Sequence, residues 1–139
     1  MTHWSESITV SWADCDAAGM VFYPNFYVWF DQATEKMFRK AGFTYGSIQE
    51  KFGILGMPLL ETGAQYENAC RHGDDLVLES RAEDFSGKTF TVRHALTHAD
   101  GRPALSGFEK RIFVATAPDR ANGIRAVEPP EELIGFFKD

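Results

Sequence analysis

Cysteine is scarce: the chain holds only Cys15 and Cys70, with no CxxC pair. Two thiols cannot build a disulfide scaffold, so free thiols and a reducing compartment are expected. Long apolar runs are also lacking, which excludes a bilayer-spanning helix. Residues 1–10 have neither the basic nor the apolar region of a signal peptide, and a cytoplasmic location is expected. Basic charge is short as well, with 14 Lys and Arg against 20 Asp and Glu and a net charge of −6. Nucleic acids and anionic membranes are held by clustered Lys and Arg, so neither is expected as a partner. No GxSxG, GxGxxG or GxxxxGK[ST] occurs, which removes the serine-hydrolase elbow, the dinucleotide fold and the phosphate-binding loop. Internal repeats, low-complexity tracts and linkers are missing too, leaving a single domain over residues 1–139.

What is present is ordinary for a folded domain, at 44% hydrophobic and 24% charged residues in 139. A chain of that length buries roughly two-thirds of its unfolded surface without metals or disulfides. Twelve phenylalanines, beside three Trp and four Tyr, make the aromatic content unusual. Residues 8–12 alternate apolar and polar side chains and predict a half-buried strand. The small, polar stretch 13–19 then reads as a loop. Pro24 suits a first helical position, and Phe26, Phe30, Ala33, Met37 and Ala41 share one helical face. With Gly42 as a stop, a helix over 24–41 is predicted. A turn-rich stretch with a short helix around 47–51 follows. Strands are predicted over 59–67, 76–82, 89–98 and 104–116, joined by turns at 71–75, 86–88 and 100–103, before a short helix over 130–137. The order β-α-β-β-β-β predicts an α+β fold, an antiparallel sheet against one helix. A single helix covers one face of such a sheet, so the other face or an edge is expected to meet another subunit.

Two carboxylates stand out. Asp16, with Asp14, lies in the loop before the helix, where Ala17, Ala18 and Gly19 leave room for a substrate. A carboxylate there could act as nucleophile or general base, and the free N–H groups at the helix start could hold an oxyanion. An aspartate before a helix equally serves as a cap or turn residue. At about 100° per residue, Asp31 falls at the rim of the apolar arc, beside Tyr27 and Phe38. It could hydrogen-bond a polar group on an otherwise apolar ligand, or simply mark the edge of the solvated face. His72, His94 and His98 lack metal-ligand spacing and read as surface or strand-pairing residues; no metal is expected. The two neighbouring aspartates should raise the Cys15 thiol, which disfavours it as a nucleophile. Lys88, with Arg81 and Arg93, could meet phosphates or merely solubilise a hairpin.

The run Asp14-Cys15-Asp16-Ala17-Ala18-Gly19-Met20-Val21-Phe22-Tyr23-Pro24-Asn25-Phe26 resembles the D-x-D-x-x-G-h-h-[WYF]-Y-P-N-[YF] signature of hotdog-fold acyl-CoA thioesterases, in the Pseudomonas-type 4-hydroxybenzoyl-CoA thioesterase branch. The resemblance continues through Trp29-Phe30-Asp31, Gly53-Ile54-Leu55-Gly56-Met57-Pro58, His72-Gly73-Asp74-Asp75-Leu76, Lys88-Thr89-Phe90 with Arg93-His94, and Arg125-Ala126-Val127-Glu128. It implies a hotdog fold, a five-stranded antiparallel sheet wrapped around one long central helix.

It also implies roles. Asp16 would be the catalytic carboxylate, either forming an aspartyl–acyl anhydride or activating water. The Tyr23 backbone N–H would polarise the thioester carbonyl. Asp31 would accept a hydrogen bond from a ring hydroxyl, and Met57, Pro58 and Leu59 would line the acyl pocket and pantetheine tunnel. Lys88 would meet the nucleotide end of CoA, which is part of the substrate, so no separate cofactor is implied. The family's site lies between subunits, implying a homodimer paired into a homotetramer. Two positions depart from the branch. Ser86 and Gly87 stand where two arginines precede the lysine, which shifts phosphate binding toward Arg81, Arg102 or Arg120. A tryptophan after the helix is also missing, with Tyr45 the nearest aromatic. The reading is an aromatic acyl-CoA thioesterase, with a short-chain aliphatic thioesterase and a non-catalytic acyl-thioester-binding module as alternatives.

Overall fold

The structure is a computed structural model that describes all of residues 1–139. Strand β1 (His3–Thr9) precedes a short 3-10 turn at Trp12–Asp14 and helix α1 (Pro24–Lys40). Helix α2 (Tyr45–Phe52), strands β2 (Ile54–Gly56), β3 (Leu59–Tyr66), β4 (Asp75–Ser86), β5 (Thr89–His98), β6 (Pro103–Ile112), β7 (Val114–Thr116) and β8 (Ile124–Ala126), and helix α3 (Glu131–Ile134) follow. Five strands form one antiparallel sheet in the order β1-β4-β5-β6-β3, which wraps α1. The α+β hotdog architecture and the position of the long helix are as predicted.

The sheet is bound to α1 by period-2 burial. Along β5, Phe90, Val92, His94, Leu96 and His98 are all buried, while Arg93 and Ala95 face solvent. From α1, Phe26, Phe30, Ala33, Thr34, Met37 and Phe38 are buried against that surface. Each fully buried Phe contributes about 1.5–3 kcal/mol through burial alone. Phe30 lies flat on the His94 ring, centroids 4.5 Å apart and 7° from parallel. That contact needs Gly107 behind it, because a Cβ there would fall 2.4 Å from Phe30 Cε2.

Three predicted strands are redrawn. The first lies at His3–Thr9 instead of 8–12, because a capping box between Ser11 and Asp14 turns the chain out of the sheet. Its inward positions, Trp4, Glu6 and Ile8, include a charge that Lys36 neutralises at 3.0 Å, which masks the alternation. The strand predicted over 76–82 runs on to Ser86. The strand predicted over 104–116 breaks at Phe113, whose N–H turns to the Lys88 carbonyl at 2.9 Å. Beyond the break, β7 pairs with the three-residue strands β2 and β8 in a small second sheet.

The histidines divide between the two expected roles. His94 and His98 pair within the sheet, opposite Ser80 and Leu76 of β4, and are buried because both share the inward phase of β5; His72, like His3, is exposed, its ring edge-on to Trp12. Along α1 and the edge strand β3, Tyr23, Val28, Leu59, Leu60 and Tyr66 leave large apolar side chains in solvent.

Candidate active site

The loop ahead of α1 folds back on itself. Cys15 bridges Val21, and the Asp16 N–H donates to the Met20 carbonyl at 2.8 Å. The tight reversal needs Gly19, whose φ of +76° lies in the left-handed region. Two hydrogen bonds pin the loop to the turn before β4, from Val21 N–H to the Cys70 carbonyl (2.9 Å) and from His72 N–H to the Gly19 carbonyl (3.0 Å).

Within this loop the two aspartates are placed differently. The Asp14 carboxylate accepts from the Ser11 N–H at 2.9 Å and the Ser11 hydroxyl at 3.0 Å, and its carbonyl takes Phe22 N–H and Asn25 Nδ2. Asp14 is thus consumed in local structure. Asp16 accepts through Oδ1 alone, from Ala18 N–H at 2.9 Å and Met20 N–H at 3.4 Å. Its Oδ2 has no partner, and the residue is exposed.

At the helix start, Pro24 occupies N1 and has no N–H to satisfy. Phe26 N–H donates to the Tyr23 carbonyl and Asn25 N–H to the Phe22 carbonyl. The Tyr23 N–H enters no hydrogen bond, leaving a donor at the positive end of the helix. The Cys15 thiol is pushed up by desolvation and then by Asp14, Asp16 and Asp74, as its neighbours predicted.

A second group of candidates gathers about two turns along α1. Asp31 accepts at 2.8 Å from Nη2 of Arg111, a buried residue of β6. Arg111 Nη1 donates to the Met57 carbonyl at 2.7 Å, and Leu59 lies opposite Arg111 in the β3–β6 register. Burial pushes the Tyr45 hydroxyl up to about 12; the Arg111 charge opposes that rise, while Asp31 and Glu109 add to it. Asp31 and the Met57 carbonyl therefore meet on one guanidinium, with Tyr45 within reach of its charge, Leu59 opposite Arg111 in the register and Pro58 exposed between Met57 and Leu59.

Arg111 itself escaped the sequence reading, as did Glu109, which holds both its Nε and Nη2 at 3.3 and 2.9 Å. Burial alone would raise the Glu109 carboxyl. Hydrogen bonds and charge from His94 and Arg111 outweigh it and bring the group down to about 2. The signal that could have found the pair is Glu-x-Arg in the same strand phase as the inward Leu105 and Gly107.

Lys88 joins neither group through a side-chain hydrogen bond. It is exposed in the β4–β5 hairpin and makes no ion pair, while Arg81 and Arg93 share Glu83 and Arg102 is tied to Asp100. No three His, Cys, Asp or Glu side chains converge as a metal site.

The family model of the thioesterase-like superfamily matches residues 10–137. The 4-hydroxybenzoyl-CoA thioesterase of Pseudomonas sp. (strain CBS-3) is 28% identical over 130 residues, which cover 90% of each chain. The 1,4-dihydroxy-2-naphthoyl-CoA hydrolase of Synechococcus sp. (strain CC9605) is 29% identical over 94 residues, 64% of this chain and 63% of the other. Among solved structures, a mutant 4-hydroxybenzoyl-CoA thioesterase in complex with 4-hydroxybenzoyl-CoA superposes with a TM-score of 0.87 at 25% identity. That superposition covers 99% of this chain and all of the other.

Proposed function

Because this chain belongs to the thioesterase-like superfamily and is an acyl-CoA thioesterase of the hotdog fold, we propose that it hydrolyses a hydroxylated aromatic acyl-CoA with Asp16 as its catalytic carboxylate. The observation that carries this is the division of labour in the Asp14–Asp16 loop: one aspartate spent on capping, the other with a free, exposed Oδ2 ahead of an unused helix N–H. Asp16 either attacks the thioester carbonyl or takes a proton from the attacking water. The Tyr23 N–H then stabilises the oxyanion, where a preorganised donor acts on developing charge. The C–S bond breaks, the CoA thiolate takes up a proton, and water supplies the oxygen of the free acid.

The acyl end is assigned to Asp31, with Tyr45, Met57, Pro58 and Leu59 around it. Phenolic acyl groups fit this end because a carboxylate accepts a ring hydroxyl, and the relatives named above act on such groups. Tyr23 and Asp31 are eight residues apart on α1, roughly 12 Å along the axis. A hydroxybenzoyl group with one hydrogen bond at each end spans a comparable length, so the spacing suits a phenolic acyl group, and the apolar surface left exposed beside it favours a site at a contact between two copies of the chain. The exposed Val28, Leu59, Leu60 and Tyr66 supply apolar surface for such a homodimer, and two dimers would give the homotetramer. Lys88 and Arg120, exposed and in no ion pair, are the candidates for the CoA phosphates, with an intracellular setting where acyl-CoA is made.

A panel of aliphatic, benzoyl and hydroxybenzoyl CoA thioesters, read by thiol release, tests the substrate. Preference for the hydroxylated aromatic esters is expected. Equal rates across the panel would favour the aliphatic branch, and absence of thiol release a binding module. Sedimentation equilibrium should return a multiple of the 15.6 kDa chain mass, and a monomer would refute the shared site.

A further inference from the structure

Behind Asp31 lies a set of buried polar side chains to which the reaction above gives no part: Thr34, Ser80, His94, Glu109 and Arg111. Burying such groups costs free energy unless they are paired, and here they are packed in contact from Ser80 to Arg111. Ser80 Oγ lies 2.7 Å from His94 Nδ1, and His94 Nε2 lies 3.2 Å from Glu109 Oε1 without the alignment of a hydrogen bond. Thr34 donates its hydroxyl to Glu109. Arg111 then bonds both Glu109 oxygens and the Met57 carbonyl. The guanidinium is fixed from the inside at three acceptors before it reaches Asp31.

Asp31 is the opposite case. Its side chain is 67% exposed, and its one hydrogen bond is the 2.8 Å contact from Arg111. A carboxylate at a solvated rim samples several rotamers unless something holds it. Arg111 takes Oδ1 and leaves Oδ2 without a partner. The planar fork of arginine makes this possible, since it serves Glu109, Met57 and Asp31 at once; a lysine ammonium has no such geometry.

We propose that Arg111 is a positioning residue for substrate choice: anchored by Glu109, it holds Asp31 with one free acceptor oxygen, so that acyl groups presenting a hydrogen-bond donor are selected. This rests on the assignment of Asp31 to the acyl end. An aromatic acyl group with a hydroxyl or amino substituent satisfies that oxygen. One with only a methoxy or carboxylate substituent faces an acceptor with an acceptor, and is rejected. Arg111 acts through Asp31, and Glu109 and His94 act through Arg111.

The test compares kcat/KM for 4-hydroxybenzoyl-CoA and benzoyl-CoA in the wild type, Asp31→Ala, Arg111→Lys and the double variant. The wild type should favour the hydroxylated ester, and Asp31→Ala should abolish that preference. Arg111→Lys should cut it roughly tenfold, the scale of one weakened charged hydrogen bond, with the loss on 4-hydroxybenzoyl-CoA exceeding that on benzoyl-CoA and falling mostly on KM. The double variant should be no less selective than Asp31→Ala alone, because a residue that acts through Asp31 has nothing left to act on. An intact preference in Arg111→Lys, beside a lost one in Asp31→Ala, overturns the positioning role and spares the acyl-end assignment. Intact preference in Asp31→Ala overturns both. Effects that multiply in the double variant also overturn the proposal, since Arg111 would then meet the substrate independently. Should Arg111→Lys fail to fold by thermal melt, Glu109→Gln carries the same test: it keeps the Arg111 charge while loosening its inner anchor. A reduced preference there supports the proposal and an unchanged one overturns it.

Discussion

Asp14 and Asp16 are chemically identical and two residues apart, and the difference between them is which oxygens the backbone has already claimed. Asp14 spends its carboxylate on Ser11, whereas Asp16 keeps Oδ2 free. Asp16→Asn preserves the Oδ1 acceptor, so the loop should persist while turnover falls by about 10²–10⁴ or more. Thiol-release kinetics beside a melting curve separates that result from misfolding; a rate near wild type would refute the role. For Asp14→Ala the expectation is reversed. Loss of a cap costs about 1 kcal/mol, which lowers Tm by a few degrees. Any loss of activity should track that destabilisation and not approach the Asp16→Asn effect.

At the scale of elements, the contact between α1 and the sheet depends on matching a large ring to a missing side chain. Phe30 can stack on His94 because Gly107 leaves the space. Gly107→Ala puts a methyl 2.4 Å from Phe30 Cε2, and overpacking of this kind costs about 1–3 kcal/mol. A urea titration should show the midpoint falling with the slope unchanged. The same helix carries the Tyr23 N–H at its start and Asp31 two turns on, so a shift of α1 on the sheet moves both ends of the proposed site together. Gly107→Ala is therefore expected to raise KM even though it lies on the core side of the sheet.

For the whole molecule, the buried cluster under α1 links stability to pH. Glu109 titrates at about 2 in the folded chain, below the ordinary carboxylate value of about 4.5. A carboxylate depressed by folding stabilises the protein fully above its unfolded pKa, and that contribution is lost as pH falls toward the folded value. The window is thus pH 4.5 down to 2, and the contribution is on the order of 3 kcal/mol. Thermal melts across that window should fall more steeply for the wild type than for Glu109→Gln. The variant should also be less stable at pH 7, because Arg111 is left buried without its anion. Parallel pH slopes in the two proteins would show that Glu109 does not carry the acid dependence.

The sequence by itself determined the α+β order and the bounds of α1 and β5, because helical and strand periodicities are local and survive in any tertiary setting. It also placed Asp16 and Asp31 as candidates, one by its small-residue loop and the other by its position at the rim of the helical arc. The edge strand β1 was not legible in the same way, since Glu6 faces inward and its charge is balanced by Lys36, thirty residues on, beside a hydrogen bond from Trp4 Nε1. Nor was the break at Phe113, which is set by a hydrogen bond to Lys88 across the sheet. Only the tertiary structure could decide that Glu109, Arg111 and His94 are buried, that Arg111 joins Asp31 to Met57, and that Asp14 is spent while Asp16 is not. Charges read as solvated in sequence become structural when strands far apart along the chain supply their partners. Long-range pairing of that kind has no period for a sequence to display.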